Sequence, residues 1–253
     1  MTEKEIFLFL IEKADFYENP NFIESDPIQI PHKFSKQEDI EITGFLTATI
    51  AWGNRKSIIN SSKKIVKLLE FSPLDFIVNH SKNDLKPFNN FVHRTFNGND
   101  LIYFIEKLKE IYLKNNTLEN YIYLPNKSIS EMQNNFHFKF FQSPHEKRIE
   151  KHLAKPLNGS AAKKLNMFFR WMVRSNKNGV DFGIWKKFDT SDLSCPLDVH
   201  SGNVARKLGL LKRKQNDAKA VIELDSILRK IIPSDPVKLD FALFGLGVHE
   251  KFK

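Results

Sequence analysis

The chain has 253 residues, of which 41% are hydrophobic and 27% charged, a composition that is ordinary for a soluble globular protein. Its single cysteine, Cys195, excludes an internal disulfide framework and a four-cysteine zinc or iron–sulfur centre, and it fits a reducing cytosol. The first residues, MTEKEIFLFLIEKADF, place acidic side chains around a short apolar run, which excludes a signal peptide and a membrane span. We therefore expect a cytoplasmic protein that does not associate with membranes.

The basic charge of the chain is concentrated in one segment. The formal net charge is +9, yet residues 145–214 alone hold 16 Lys/Arg and 6 Asp/Glu, whereas the rest of the chain holds 23 and 24. A localised basic surface favours binding to a polyphosphate, because each neutralised phosphate releases counterions. A solvated face of a lysine-rich protein is the alternative, but the concentration in one segment favours nucleic acid.

Apolar residues recur at helical spacing along most of the chain. The pattern predicts a helix over residues 1–17, an ordered loop over 19–36, and a long helix from Gln37 that residues 51–55 interrupt. Further helices are predicted over residues 58–69, 73–80, 101–108, 146–155, 160–174, 199–210 and 217–231, and from Asp235 onward.

Strand signals are almost absent. Residues 91–98 read as a loop that enters a helix, and residues 117–145 are the least legible part of the sequence. Because the period-two alternation of a half-buried strand hardly occurs, the sequence predicts an all-α fold. We expect residues 1–253 to form a single helical domain, a two-lobed helical bundle with a cleft.

A helix, a short glycine turn and a basic second helix are predicted over residues 146–174. Pro156 ends the first helix, Gly159 is expected in a left-handed or closely approached backbone position, and Ser160 is expected to cap the second helix. Backbone N–H groups of such a turn can point at a phosphate. The residues predicted to contact DNA here are Gly159, Ser160, Lys164, Arg170 and Arg174.

The turn carries a resemblance to a known superfamily. Leu157-Asn158-Gly159-Ser160-Ala161-Ala162-Lys163 resembles the hairpin of the helix-hairpin-helix DNA glycosylases, Leu-Pro-Gly-Val-Gly followed by one residue and a lysine nucleophile. Asn158 replaces the proline and Ala161 the second glycine. Downstream, Cys195-Pro196-Leu197-Asp198-Val199-His200 looks like the segment that carries the catalytic aspartate of that superfamily. Lys163 and Asp198 lie 35 positions apart, and the archaeal 8-oxoguanine glycosylases have a comparably long segment.

This resemblance implies a glycosylase fold and catalytic roles for Lys163 and Asp198, with residues 146–215 as the helix-hairpin-helix and catalytic segment. The lysine would attack C1′ of the sugar, and the aspartate would stabilise the cation-like transition state. Other readings stay open: Lys163 as a phosphate-contacting or solvated lysine, Lys164 as the nucleophile if the register shifts by one, and Asp198 as the N-cap of the next helix. An Asp-x-His pair ending at His200 has no further ligand at suitable spacing, so we expect no metal and no cofactor.

A flipped base also needs an aromatic or apolar pocket. Trp52, with Asn54, is the first candidate for that pocket, and Arg55 for a DNA contact beside it; Trp185 and Phe188 are weaker candidates. Core packing is the alternative for each tryptophan. His93 and Arg94 could contact phosphate or cap a helix, and the sequence does not choose between these roles.

A second resemblance covers nearly the full chain and implies no activity. It is to an uncharacterised bacterial family, DUF2400. The segments that carry it are Asp26-Pro27, Ala51-Trp52-Gly53-Asn54-Arg55, His93-Arg94-Thr95-Phe96, residues 165–174 and Asp240-Phe241-Ala242-Leu243-Phe244-Gly245.

The leading prediction is a DNA N-glycosylase, with or without lyase activity at abasic sites, that excises a damaged base from double-stranded DNA in base excision repair. It is expected to act as a monomer near the nucleoid. The alternatives are a non-catalytic helix-hairpin-helix DNA-binding protein and an RNA-associated basic helical protein.

Overall fold

A computed structural model describes residues 2–250 and 252, and most of these residues are helical, as the sequence predicts. Met1, where the predicted first helix begins, lies outside the described residues. The α-helices, in chain order, are α1 (Glu3–Tyr17), α2 (Asn21–Glu24), α3 (Gln37–Thr49), α4 (Arg55–Leu68), α5 (Pro73–Asn79), α6 (Gly98–Asn115), α7 (Leu118–Ile122), α8 (Ile129–Phe140), α9 (Lys163–Val173), α10 (Val199–Lys207), α11 (Ala218–Ile231) and α12 (Leu239–Val248). Within residues 2–250 and 252, no helix is long and apolar enough to cross a membrane.

Short 3-10 helices and one small hairpin connect these helices. The hairpin pairs β1 (Val92–His93) antiparallel with β2 (Phe96–Asn97), in the segment predicted as a loop. The 3-10 helices are Pro27–Gln29, Pro31–Lys33, Lys86–Asn90, Lys147–His152, Pro156–Asn158, Asn176–Asn178, Thr190–Asp192 and Pro236–Lys238.

The chain divides into two compact units. Unit 1 comprises Met1–Phe22, Lys127–Asn134 and Lys155–Lys253, and unit 2 comprises Ile23–Asn126 and Asn135–Ala154. Unit 1 contains the glycine turn, Lys163 and Asp198, and unit 2 contains Trp52.

Unit 1 is built around α1, α10, α11 and α12, whose apolar faces form one core. Because α12 is apolar on nearly all sides, it suits a position at the centre of that core. A side chain on Gly245 of α12 would place its Cβ 2.3 Å from the ring of Tyr17 on α1, so only glycine allows this close approach.

Unit 2 is packed mainly with aromatic rings, which accounts for part of the unusual content of 23 phenylalanines. The ring of Phe45 on α3 lies 5.8 Å from the ring of Phe104 on α6, and 5.5 and 5.8 Å from those of Phe136 and Phe140. Buried phenylalanines contribute large apolar areas and leave no polar atom to satisfy.

Besides the hairpin, two of the predicted elements are wrong. The segment before the glycine turn is a 3-10 helix, Lys147–His152, rather than the α-helix predicted over residues 146–155. The predicted loop at residues 19–36 contains α2 and two 3-10 turns. Pro20, Pro27 and Pro31 restrict the backbone over residues 19–36, and Pro144 and Pro156 flank the segment over residues 146–155, so neither segment continues as a regular α-helix.

Candidate functional site in unit 1

The glycine turn has the backbone conformation that the sequence predicts. Gly159 has φ +85°, in the left-handed region, where it ends the 3-10 helix Pro156–Asn158. A Cβ at this position would meet no atom within 4 Å, so the torsion angle and not crowding favours glycine. The carbonyl oxygen of Gly159 accepts a hydrogen bond from the N–H of Ala218 at 3.0 Å, which fixes the turn against the start of α11.

Ser160 does not cap α9, contrary to the prediction. The N-cap is Ala162, which itself has a left-handed backbone with φ +49°, and the helix begins at Lys163. The hydroxyl of Ser160 instead accepts a hydrogen bond from the N–H of Ala162 at 3.1 Å. Gly159 and Ser160 are both exposed, and together they lead directly into the two lysines that open α9.

Asn166 joins this turn to the segment that carries Asp198. Its Nδ2 donates to the carbonyl oxygens of Ala161 at 3.1 Å and of Cys195 at 3.3 Å. Its Oδ1 accepts from Nε2 of Gln133 at 2.7 Å. Since a buried amide needs its hydrogen bonds satisfied, this arrangement fixes the start of α9 relative to the start of α10.

Asp198 is the N-cap of α10. Its Oδ1 accepts from the N–H groups of His200 at 2.8 Å and Ser201 at 3.0 Å, and its own N–H donates to Oγ of Ser201 at 2.9 Å. The side chain is half-buried. In the described part of the chain, the hydrogen bonds to this carboxylate all use Oδ1, so capping leaves Oδ2 available.

A second carboxylate, Asp240 on α12, completes the cluster and was missed by the sequence. It is buried, its Oδ2 accepts from Nη1 of Arg170 at 2.7 Å, and its Oδ1 accepts from the thiol of Cys195 at 3.7 Å. Burial raises the pKa of Asp240 to about 6; Arg170 and Lys163 lower it, and the charge of Asp198 raises it further. Lys163 and Asp198 therefore both act electrostatically on the carboxylate of Asp240.

Lys164, the second residue of α9, has an unusual environment for a lysine. Burial, followed by the charge of neighbouring Lys163, lowers the pKa of its ammonium group to about 7. A substantial fraction of this side chain is therefore a neutral amine at physiological pH, which is the form that acts as a nucleophile.

Arg170 and Arg174 do not form the exposed basic face predicted for α9; they are 4% and 3% exposed. Besides Asp240, Arg170 lies 3.4 Å from a carboxylate oxygen of Asp181. Arg174 pairs with Asp181 at 2.6 Å and with two further carboxylates. These are Glu18 at 2.7 Å and Asp235 at 2.8 Å. A buried charge must be paired, and these pairs account for both arginines inside the protein.

Trp52, in unit 2, is half-buried, and its ring stacks on that of His152 at 5.8 Å. Asn54 is the N-cap of α4 and accepts from the N–H of Ser57 at 3.2 Å, and Arg55 is the first residue of that helix. Asn54 is exposed and Arg55 partly exposed.

The weaker pocket candidates in unit 1 are core residues. The rings of Trp185 and Phe188 stack at 5.1 Å, and both side chains are buried. His200 is exposed, and residues 2–250 and 252 contain no group of three or more His, Cys, Asp or Glu side chains that could hold a metal ion.

Unit 1 thus presents a lysine–carboxylate cluster where two helices begin, beside an exposed glycine turn. The model of the protein family of unknown function DUF2400 matches residues 26–249, and the chain belongs to this family. No curated protein and no solved structure matches the chain.

Proposed function

We propose that this protein is a DNA N-glycosylase that removes a damaged base from double-stranded DNA, with Lys163 and Asp198 at its reacting centre. The observation that supports the proposal best is that Asn166 donates to the carbonyl oxygens of both Ala161 and Cys195, which brings the start of α9 at Lys163 to the segment that carries Asp198. The exposed turn at Gly159 and Ser160 precedes α9 directly and offers a contact surface for a phosphate.

The chemistry needs a nucleophile and a fixed negative charge. A neutral lysine nitrogen forms a bond to C1′ of the sugar while the bond from C1′ to the base breaks, and the base departs with the electron pair and gains a proton. The amine loses a proton in return. Asp198 stabilises the positive charge that develops on the sugar, since its Oδ2 is not used in capping α10.

Opening of the sugar ring then gives a Schiff base between the lysine and C1′. This intermediate permits strand cleavage, and borohydride reduces it to a stable amine that links protein and DNA. Lys163 is the first choice for the nucleophile because it stands where the hairpin that residues 157–163 resemble has its lysine nucleophile, and it opens α9. Lys164 is the second, because its lowered pKa makes the neutral amine accessible near pH 7.

The remaining parts of the proposal concern contacts with DNA. In unit 1, Lys164, Gly159 and Ser160 are proposed to contact the DNA backbone. In unit 2, and independently of that site, Arg55 is proposed to contact a phosphate, and Trp52 and Asn54 are proposed to contact a base. Arg170 and Arg174 are left out, because their ion pairs hold them inside unit 1.

Borohydride trapping on a panel of lesion-bearing duplexes tests this proposal. We expect a covalent adduct with a suitable lesion, no adduct with Lys163→Gln, and a reduced but clear adduct with Lys164→Gln. Loss in the second variant alone would move the nucleophile to Lys164. Asp198→Asn retains an N-cap side chain and should lower turnover by roughly a hundredfold or more.

One observation favours a second candidate function, a non-catalytic DNA-binding module. The capping box of α10 gives Asp198 a structural role that requires no chemistry. This alternative predicts DNA binding with neither an adduct nor base release on any lesion. Base release is assayed alongside trapping, because a glycosylase without lyase activity would release base and form no adduct.

A further inference from the structure

Unit 2 carries an arginine in an unusual position, at the tip of the β1–β2 hairpin. Arg94 is exposed and has a left-handed backbone with φ +55°. Its side chain extends over Gly53: a Cβ on that glycine would lie 2.8 Å from Nη1 and 3.2 Å from Cδ of Arg94. Only glycine leaves room for the guanidinium group here, and Gly53 also has the positive φ of +97° that glycine accepts readily.

His93 attaches the hairpin to α4 and to the segment of Trp52. His93, next to Arg94, is buried, and its Nδ1 lies 2.9 Å from Oγ of Ser61 on α4. Its Nε2 lies 3.4 Å from the carbonyl oxygen of Trp52. The guanidinium group of Arg94 is therefore held beside the chain segment that carries the half-buried indole of Trp52.

The indole of Trp52 stacks on a histidine that is linked to an ion pair of unit 2. Its ring stacks on His152, which is buried, and Nε2 of His152 lies 3.2 Å from a carboxylate oxygen of Asp100. Asp100 is fully buried, and Arg148 pairs with it at 2.9 Å. Because the rings of His93 and His152 both contact the indole, the partly exposed side chain of Trp52 is held in one orientation.

We propose that Trp52 and Arg94 bind one unpaired nucleotide of a single-stranded or locally opened nucleic acid, the base on the indole and a phosphate on the guanidinium group. An aromatic face accepts any base by stacking, and the planar guanidinium group binds phosphate through two parallel hydrogen bonds. This inference rests on the proposed function as far as DNA is the partner, and it adds Arg94 and an unpaired nucleotide to it.

The protein contains its own reporter for the test. Of its three tryptophans, Trp171 and Trp185 are 0% and 1% exposed, so a bound nucleotide would quench chiefly the fluorescence of Trp52. Titration with an undamaged thymidine oligonucleotide should give saturable, salt-sensitive quenching. The same sequence in a duplex should quench less. Equal quenching by both would overturn the unpaired-nucleotide proposal.

Single substitutions measure the contributions of Arg94 and Trp52 to binding separately. Arg94→Ala should weaken binding of a labelled oligonucleotide, measured by anisotropy, by roughly tenfold or more, and Trp52→Leu should do the same. Arg94→Lys retains the charge but not the planar guanidinium group, so its affinity should lie between those of the natural protein and Arg94→Ala. Lys36→Ala is the matched control: this exposed cation precedes α3, whose 13 residues place it about 20 Å from the end of the helix near Trp52.

Two further results would overturn the proposal. One is that the oligonucleotide does not quench the tryptophan fluorescence of the protein, whose folding is checked by circular dichroism. The other is equal affinity in Arg94→Ala and Lys36→Ala. The oligonucleotide carries no lesion and no reaction is followed, so this test is separate from the test of glycosylase activity. Oligonucleotide binding without base release from any lesion would support this inference and reject the glycosylase. Base release without quenching would support the glycosylase and reject this inference.

Discussion

The two units stabilise their helices by different means. Unit 1 surrounds α9 with buried charges, in which Arg170 and Arg174 pair with Asp181, Asp235 and Asp240. Unit 2 packs α3 against α6 largely through phenylalanine rings. The difference teaches that a basic segment in a sequence is not equivalent to a basic surface. The excess in residues 145–214 includes two arginines whose charges are neutralised inside the protein.

The strongest way to break this comparison is to remove Arg174. Arg174→Met retains much of the side-chain volume but leaves Glu18 and Asp181 buried without their closest cation. Uncompensated buried carboxylates are costly, so we expect a loss of about 3–5 kcal/mol in the free energy of unfolding. Chemical denaturation measures it.

Lys177→Met is the control for Arg174→Met, because Lys177 is an exposed cation just past the end of α9. It should change the stability by less than about 0.5 kcal/mol. Similar losses in both variants would contradict the role assigned to the buried pairs of unit 1.

The second prediction uses the pH dependence of a buried carboxylate that packs against Cys195. Asp225 accepts a hydrogen bond from the N–H of Cys195 at 2.9 Å, and burial raises the pKa of Asp225 to about 6. Because its folded-state pKa lies above the usual value of 3.8, folding favours the protonated form. The corresponding stability is complete below about pH 4 and is lost as the pH rises to about 6.

Asp225→Asn removes this titration and retains an acceptor for the N–H of Cys195. The variant should therefore be more stable than the natural protein near pH 7, by about 3 kcal/mol at most, and the difference should disappear near pH 4. Thermal unfolding from pH 4 to pH 7 gives the measurement. A difference that stays constant with pH would show that ionisation of Asp225 does not carry the effect.

The features of the fold and the site that the sequence predicts are those set by interactions between residues close together in the chain. The spacing of apolar residues is local, and it predicted α1 and α3 correctly. The left-handed conformation of Gly159 followed from the turn itself. The 3-10 geometry of Lys147–His152 was missed, because a short helical segment of either kind gives the same pattern.

The burial of Arg170 could not be predicted, because its partner Asp240 lies 70 positions away. Asp240 was overlooked for the same reason: a single acidic residue in the apolar helix α12 has no partner within that helix. A carboxylate in an otherwise apolar helix was the one available signal, since such a group is rarely buried unless it is paired.

The third prediction sharpens the comparison by testing where the exposed positive charge of α9 lies. Replacing Lys163 and Lys164 together by Ser should reduce the slope of log affinity against log salt for duplex binding by about 0.9 to 1.8, the values for one and two phosphate contacts, because Lys164 is only partly charged near pH 7. Lys4 and Lys114, which are exposed and lie far in the sequence from α9 and from the proposed contacts of unit 2, provide a matched double control. Equal slopes in the two double variants would argue against a DNA contact at the start of α9.

The smallest effect distinguishes the two glycines with positive φ that lie next to the proposed sites. In Gly159→Ala the added Cβ meets open space, so the cost should be limited to backbone strain, about 1 kcal/mol. In Gly53→Ala the same strain arises, and the Cβ also displaces the guanidinium group of Arg94. We therefore expect Gly53→Ala to weaken oligonucleotide binding to nearly the extent of Arg94→Ala, whereas Gly159→Ala leaves it unchanged. Comparing denaturation with oligonucleotide affinity in both variants separates strain from displacement, and equal affinities in the two would show that the position of Arg94 over Gly53 is not needed for binding.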